Sequence, residues 1–357
     1  MKDEPFCSDP GKLEEYGLDA MLVTSPSNRK YATDFPSSAG MALVTRKEAF
    51  FFIDSRYIEA AKKSIKGAAV DMVDMQRAYE AKLNAEIDRL GIRTLGIEEG
   101  AMSLGEYRSW EKKLHGELKP AQQLFTDLRT VKDPEELDYL IRAQRIAEKA
   151  LVQVLDLIRP GMTERQVAAE LIYRMLREGA DGVSFEPIVV TGVKSSMPHG
   201  VPGDVEIRSG DFLTMDFGCR LGGYCSDMTR TVAVGSATEE MRKVYETVLL
   251  AQKTAISGAK AGMTGVEVDG IARKVIQDAG YGDCFGHGFG HGVGLDVHEA
   301  PTAGPSGKDP MPVNAVISAE PGIYLEGRFG VRIEDVIILK ENGCEDITLA
   351  PKELLIL

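Results

Sequence analysis

Along the first 125 residues, short apolar runs alternate with segments whose apolar positions recur at helical spacing. Ala20–Thr24, Met41–Thr45, Phe50–Ile53, Ala69–Val73 and Thr94–Ile97 read as strands. Residues around 27–33, 55–66, 79–90 and 103–115 carry the longer period and read as helices, with Gly91 and Gly116 as stops. Strands alternating with helices predict an α/β amino-terminal domain. His115 stands beside the stop at Gly116, where a cation complements the helix dipole, so its role is structural. Arg29, Tyr31 and Arg56 read as solvated surface. The pattern breaks over 126–134, Thr-Asp-Leu-Arg-Thr-Val-Lys-Asp-Pro, which gives domains of 1–125 and 126–357.

Beyond the break, a long amphipathic helix starts near Pro134, with Leu137, Leu140, Ile141, Gln144, Ile146 and Ala147 as its stripe. The chain then repeats itself. Gly161-Met162-Thr163 recurs as Gly262-Met263-Thr264, and each Thr opens a capping box, with Gln166 and with Glu267. Apolar stripes follow: Val167, Leu171 and Met175, then Val268, Ile271, Ala272 and Val275. The helices stop at Gly179 and Gly280, at the same lag. Cap, stripe and stop recurring in order predict two related half-domains.

Each half carries a pair of acids in an apolar setting. Phe212–Gly218 and Thr229–Val234 read as strands about the turn Leu221-Gly222-Gly223, which sets Asp216 and Asp227 opposite each other or nearly so. Ala315–Glu320 and Gly330–Leu339 read as strands about a turn near Gly327, which sets Glu320 opposite Glu334. Opposed Cβ atoms lie about 4.5–5.5 Å apart. Like charges so placed and half buried need a cation between them, or a proton.

The stretch 284–300 holds His287, His291 and His298, three of the five histidines, with glycine at 286, 288, 290, 292 and 294. Glycine at alternate positions costs a helix about 1 kcal/mol each, so an extended strand is expected, with His287, Phe289 and His291 on one face. The glycines would let another backbone or a ligand come close. His199 follows the apolar strand Pro187–Thr191 in a loop.

Composition narrows the function further. A net charge of −13 argues against a nucleic-acid partner. Cys7, Cys219, Cys225, Cys284 and Cys344 are odd in number, without a CxxC pair, as in reduced cytoplasmic proteins. No secretory leader is visible at the start, and no apolar run is long enough to cross a bilayer. Neither a G-x-S-x-G elbow nor a P-loop occurs. Two Asp, two Glu and one His instead supply ligands for two divalent ions, and such oxygen-rich ligation suits Mn²⁺, Co²⁺ or Fe²⁺. A pair of such ions can activate water and polarise a carbonyl, the equipment for amide hydrolysis.

The motifs Pro198-His199-Gly200, Met215-Asp216-Phe217-Gly218, Ser226-Asp227-Met228-Thr229-Arg230, Gly290-His291-Gly292-Val293-Gly294, His298-Glu299, Glu320-Pro321-Gly322 and Arg332-Ile333-Glu334-Asp335 together resemble the M24 metallopeptidases of the pita-bread fold. These include methionine aminopeptidases, prolidases, aminopeptidases P and creatinases. Gly17–Pro26, Asp54-Ser55-Arg56-Tyr57 and Lys132-Asp133-Pro134-Glu135-Glu136 resemble the creatinase-type amino-terminal domain of that family. The resemblance implies an α+β carboxy-terminal domain with a pseudo-twofold repeat and a curved, mainly antiparallel sheet. It implies Asp216, Asp227, His291, Glu320 and Glu334 as ligands to two divalent ions, Mn²⁺ foremost and Co²⁺, Fe²⁺ or Zn²⁺ as alternatives. Glu320 would shuttle the proton, and His199 and His298 would stabilise or orient the tetrahedral intermediate. His287 and Arg332 would contact the proline side. Plain methionine aminopeptidases lack the first domain and creatinases lack the full ligand set, so the implied substrate is a peptide with proline at the second position. Dipeptidase and aminopeptidase remain open, with methionine removal and a non-catalytic pita-bread binding module as rivals. A homodimer is implied by the resemblance alone.

Overall fold

The computed structural model describes residues 10–74, 76 and 78–357. Cys7 and the question of a leader at the start fall outside the described residues. The chain divides into two compact units, Met1–Leu128 and Arg129–Leu357.

The first unit is built from α1 (Pro10–Glu15), β1 (Ala20–Val23), α2 (Pro26–Thr33), β2 (Met41–Thr45), β3 (Ala49–Ile53), α3 (Ile58–Ser64), β4 (Ala69–Met72), α4 (Tyr79–Leu90), β5 (Thr94–Ile97), α5 (Leu104–Lys113), β6 (Glu117–Pro120) and α6 (Gln122–Thr130). Its six strands run in the order β4-β3-β2-β1-β5-β6, parallel except where β2 pairs with β1 and β3. Successive strand residues face opposite sides, as the two-residue period requires. Met21, Val23, Phe51 and Ile53 join Ala61, Leu124 and Phe125 in one core layer. Leu22, Phe50, Phe52 and Leu95 join Tyr79, Leu83 and Ile87 in the other. Burial on both faces explains why these strands read as unbroken apolar runs.

Three readings of this region change. Helix α6 continues to Thr130, because Leu124 and Phe125 keep a buried stripe and the break comes only at Lys132-Asp133-Pro134. His115 lies beyond the end of α5, and its Nδ1 meets Asp88 of α4 at 2.9 Å, so a carboxylate rather than a helix end is its partner. Arg29 is buried, not solvated, and donates to the carbonyls of Thr24 and Ser37.

The second unit opens with α7 (Pro134–Leu155), whose cap Asp133 and residue Glu136 close a capping box. It continues through α8 (Glu164–Arg177), β7 (Gly182–Val183), β8 (Ile188–Thr191), β9 (Phe212–Phe217), β10 (Cys219–Leu221), β11 (Tyr224–Cys225) and β12 (Met228–Ala233). The second half follows with α9 (Glu239–Gly258), α10 (Gly265–Asp278), β13 (Gly290–Gly292), β14 (Glu299–Ala303), β15 (Val316–Ala319), β16 (Gly322–Leu325), β17 (Phe329–Arg332), β18 (Asp335–Lys340) and β19 (Gly343–Asp346). Both repeated caps form: Thr163 with Gln166 and Thr264 with Glu267. Helices α7 and α8 pack through Ala147, Leu151, Val167 and Leu171 on Val189, Leu213, Met215 and Val232. Helices α9 and α10 pack through Val248, Ala255, Val268 and Ala272 on Ile317, Ala319, Ile337 and Leu339. Each half is thus a helix pair laid on an antiparallel sheet, β12-β9-β8 in one and β14-β13-β15-β18-β19 in the other. This is the α+β pita-bread architecture. Among the described residues no helix is long and apolar enough to cross a membrane.

The two acid-bearing hairpins differ from expectation in instructive ways. In the first, Asp216 faces Thr229, and Arg220 faces Cys225. The register centres on the dipeptide Gly222-Gly223, whose φ values of 60° and 93° fit a two-residue type I′ turn. Asp227 is therefore displaced from Asp216 along the ladder rather than set across from it. In the second hairpin Ala319 faces Asp335 and Gly322 faces Arg332, which brackets Glu320 and Glu334 between two ladders in a common register. Asp227, Glu320 and Glu334 lie in breaks between strands, not within them. Glu334 N–H donates across to the Thr229 carbonyl, and Glu320 N–H to that of Phe289. These acids stand where the ladder changes partner, which is how both halves reach one place.

Candidate active site

All nine residues singled out in the sequence line one cavity of about 470 Å³: His199, Asp216, Asp227, His287, His291, His298, Glu320, Arg332 and Glu334. Phe185, Glu186, Ile188 and Val297 complete parts of its wall. Asp216 comes from β9, His291 from β13, and Asp227, Glu320 and Glu334 from the breaks before β12, after β15 and before β18.

One donor atom each from Asp227, His291 and Glu334 lies within 4.8 Å of the others. His291 Nε2 is 3.3 Å from Glu320 Oε1 and 3.7 Å from Asp227 Oδ2. Its Nδ1 sits 3.2 Å from the Gly292 carbonyl, a contact that leaves Nε2 turned to the acids and available to a cation. Asp216 and Glu320 fall outside the tight triplet. Asp216 Oδ2 takes an Arg332 Nη2–H at 2.5 Å, and Glu320 Oε1 accepts from Ser318 Oγ at 3.2 Å. Glu334 Oε2 accepts from Thr229 Oγ1 at 2.7 Å.

Burial and crowding set the charges here. Burial, then the nearby Asp216, pushes the Asp227 carboxyl well above its ordinary range. Burial, then Asp227 and Glu320, does the same to Glu334. Burial raises Asp216 despite the guanidinium of Arg332. Burial also acts on Glu320, but the hydrogen bond and charge of His291 outweigh it and hold that carboxyl at about 2. Burial opposes the charge on His291, yet Glu320 and Asp227 carry it up to about 9. His287 and His298 are lowered, chiefly by burial.

The strand expected through 284–300 is broken, with only Gly290–Gly292 and the start of β14 at Glu299 in regular pairing. His287 and His291 reach the cavity, but Phe289 is fully buried in the core, so the three do not share a face. A short 3₁₀ turn at Gly282–Cys284 and irregular backbone after it break the alternation. At Gly290 a Cβ would stand 2.0 Å from the Ser318 carbonyl oxygen, and at Gly292 one would stand 2.3 Å from that of Ala300. These glycines let the His291 strand lie against its neighbours.

Arg332 is committed as well as lining. Its Nε donates to Thr229 Oγ1 at 3.0 Å, and its Nη1 to Tyr324 Oη at 3.0 Å and to the Pro198 carbonyl at 3.3 Å. His287 Nε2 meets the same Tyr324 oxygen at 2.9 Å. Tyr324 and Thr229 were not singled out from the sequence. The signal for Tyr324 was present: in the 322–332 hairpin it is diagonal to Arg332, across from Gly330.

The donor set fits a divalent metal. Asp216 Oδ1 is buried without a hydrogen-bond partner among the described residues, facing a cavity ringed by carboxylates and an imidazole. A buried carboxylate oxygen needs a proton or a cation.

Residues 138–341 match the metallopeptidase family M24, and 11–131 match the creatinase/prolidase N-terminal domain. The chain belongs to the M24 metallopeptidases, and membership implies divalent metal ions. It is 38% identical over 345 residues to an Xaa-Pro dipeptidase of Pyrococcus furiosus, covering 96% of this chain and 97% of that protein. The structure of an Xaa-Pro dipeptidase from Bacillus anthracis superposes with a TM-score of 0.93 at 39% identity, covering 98% and 99%. That of an X-Pro aminopeptidase from Thermotoga maritima gives 0.91 at 36%, covering 97% and 100%.

Proposed function

We propose that the protein is a dinuclear-metal hydrolase that cleaves the bond between an amino-terminal residue and proline, as an Xaa-Pro dipeptidase or aminopeptidase. The observation that carries this is the meeting of four acids and His291 on the wall of a single cavity with a partnerless Asp216 oxygen. Asp216, Asp227, His291, Glu320 and Glu334 would hold two divalent ions, Mn²⁺ foremost. Such ions, when bound, lower the pKa of water and polarise a carbonyl.

The chain's own residues do the rest. Glu320, on the cavity wall beside His291, would accept a proton from water and return it to the leaving nitrogen. His199 and His298, exposed on the cavity wall, would offer N–H donors to the oxyanion. Arg332, tied to Asp216 and Tyr324, would hold that carboxylate in direction while its cavity face meets the proline side together with His287. Ile188 and Phe185 give the wall an apolar side for the first residue. The same reading includes a homodimer and a cytoplasmic location, with which the free thiols of Cys219, Cys225, Cys284 and Cys344 agree.

The test uses purified protein, chelated and then reloaded with Mn²⁺, on Ala-Pro, Ala-Pro-Ala and Met-Ala-Ser. Cleavage before proline that vanishes on chelation and returns with metal is expected. Cleavage of Ala-Pro alone makes it a dipeptidase, and cleavage of the tripeptide an aminopeptidase. Full hydrolysis without metal, or preference for Met-Ala-Ser, would overturn the reading.

A further inference from the structure

The segment Val293–His298 leaves β13 and returns as β14 without regular structure of its own, yet it places Val297 and His298 on the cavity wall. Its hold comes from the next residue. Glu299 opens β14, and its side chain is only 9% exposed. Its carboxylate accepts from Lys132 Nζ at 2.9 Å and from Arg129 Nη2, and it also takes the Asp296 N–H at 3.2 Å. Arg129 Nη2 bonds Asp296 Oδ2 at 2.7 Å as well. Lys132 is 1% exposed at its side chain, and its backbone N–H is fixed to the Asn314 carbonyl at 3.1 Å.

A fully buried ammonium is a costly way to hold a fold. Apolar residues of similar volume commonly do as well or better, so the charges call for a role other than bulk stability. What an apolar pair would not supply is direction. Two cations from the short run Arg129–Lys132 fix both oxygens of Glu299, and through them the backbone that aims His298. The ring of His298 stands 4.0 Å, centroid to centroid, from that of His291 at 79°, a position that a small turn of this backbone would lose.

We propose that Lys132 and Arg129 are positioning residues that act through Glu299 to aim His298 into the cavity. The proposal rests on the Xaa-Pro hydrolase reading for its kinetic readout only. The experiment compares Lys132→Met in two backgrounds, wild type and His298→Ala, with Glu299→Gln as a second variant that keeps the shape of the side chain. Ala-Pro hydrolysis by Mn²⁺-loaded protein gives kcat and KM, and the ring signals of ¹⁵N-labelled histidine report on His298 without any substrate. Lys132→Met should lower kcat about tenfold or more in wild type, since misplacement by a fraction of an ångström suffices for that. It should have no further effect once His298 is alanine, and it should move the His298 ring signals. Glu299→Gln should show the same dependence on His298. Equal losses in both backgrounds, or unmoved ring signals in a folded variant, would overturn the proposal. A wild-type enzyme inert on Xaa-Pro peptides would sink the functional reading alone, with the ring signals still deciding this one.

Discussion

At the scale of single residues, the acids are placed where they harm the protein without a cation. Glu334 is buried, and its carboxyl is raised well above the usual range by that burial and by Asp227, Glu320 and Asp216. A group raised in the folded state favours folding below its unfolded pKa, about 4.3 for Glu, and loses that contribution as pH rises through the folded value. In chelator, Glu334→Gln should therefore be more stable than wild type near neutrality, with the difference shrinking toward pH 4. Urea midpoints across that range check the sign. In Mn²⁺ the order should reverse, because on the proposed ligand set the variant lacks one ligand and gains less from the ion. Asp216→Asn should likewise fold but bind less metal, read by elemental analysis. Tyr324→Phe removes the oxygen shared by Arg332 and His287 and should cost about 1 kcal/mol of stability. Its KM for Ala-Pro should rise, because both residues face the cavity.

At the scale of elements, the backbone contacts around His291 leave little room. Gly290→Ala would drive a Cβ into the Ser318 carbonyl. Such overpacking should cost about 1–3 kcal/mol in urea unfolding and displace His291 enough to lower metal content. Losing the Asp133 cap of α7 by Asp133→Ala should cost about 1 kcal/mol, with metal content unchanged. Much of this level was legible in the sequence. Both Thr caps announce their helices locally, and the centre at Gly327 follows from two apolar runs of matching length. Spacing alone centres the first hairpin one residue too early, because its turn is the pair Gly222-Gly223, which takes positive φ at both positions. The breaks in the strands at Asp227, Glu320 and Glu334 were not legible. They arise because backbone groups there bond outside their own hairpin, Glu334 N–H to the Thr229 carbonyl, Glu320 N–H to that of Phe289 and Asp227 N–H to Gln144 Oε1, and a one-dimensional pattern carries no trace of such partners. Alternation fails at Phe289 for a different reason: it needs a regular strand, and β13 is three residues long and begins after Phe289.

At the scale of the whole molecule, the site exists only because two halves each contribute acids to it. The candidate residues were legible as types and as pairs, while their meeting in one cavity depended on the fold. Metal should then act as a clamp on the second unit. Binding at one hundred times the dissociation constant contributes about 2.7 kcal/mol, so chelation should lower the melting temperature, and more so at pH 7 than at pH 5, where protons partly replace the ion. Differential scanning calorimetry with and without Mn²⁺ checks this. The grip of Arg332 on Asp216 has a last consequence, for discrimination among cations. Calcium asks for about six to eight oxygens in a loose shell. A cage that includes an imidazole and has already given one Asp216 oxygen to a guanidinium falls short of that appetite. Calcium-rich buffer should leave the enzyme idle, neither loading it nor competing with manganese.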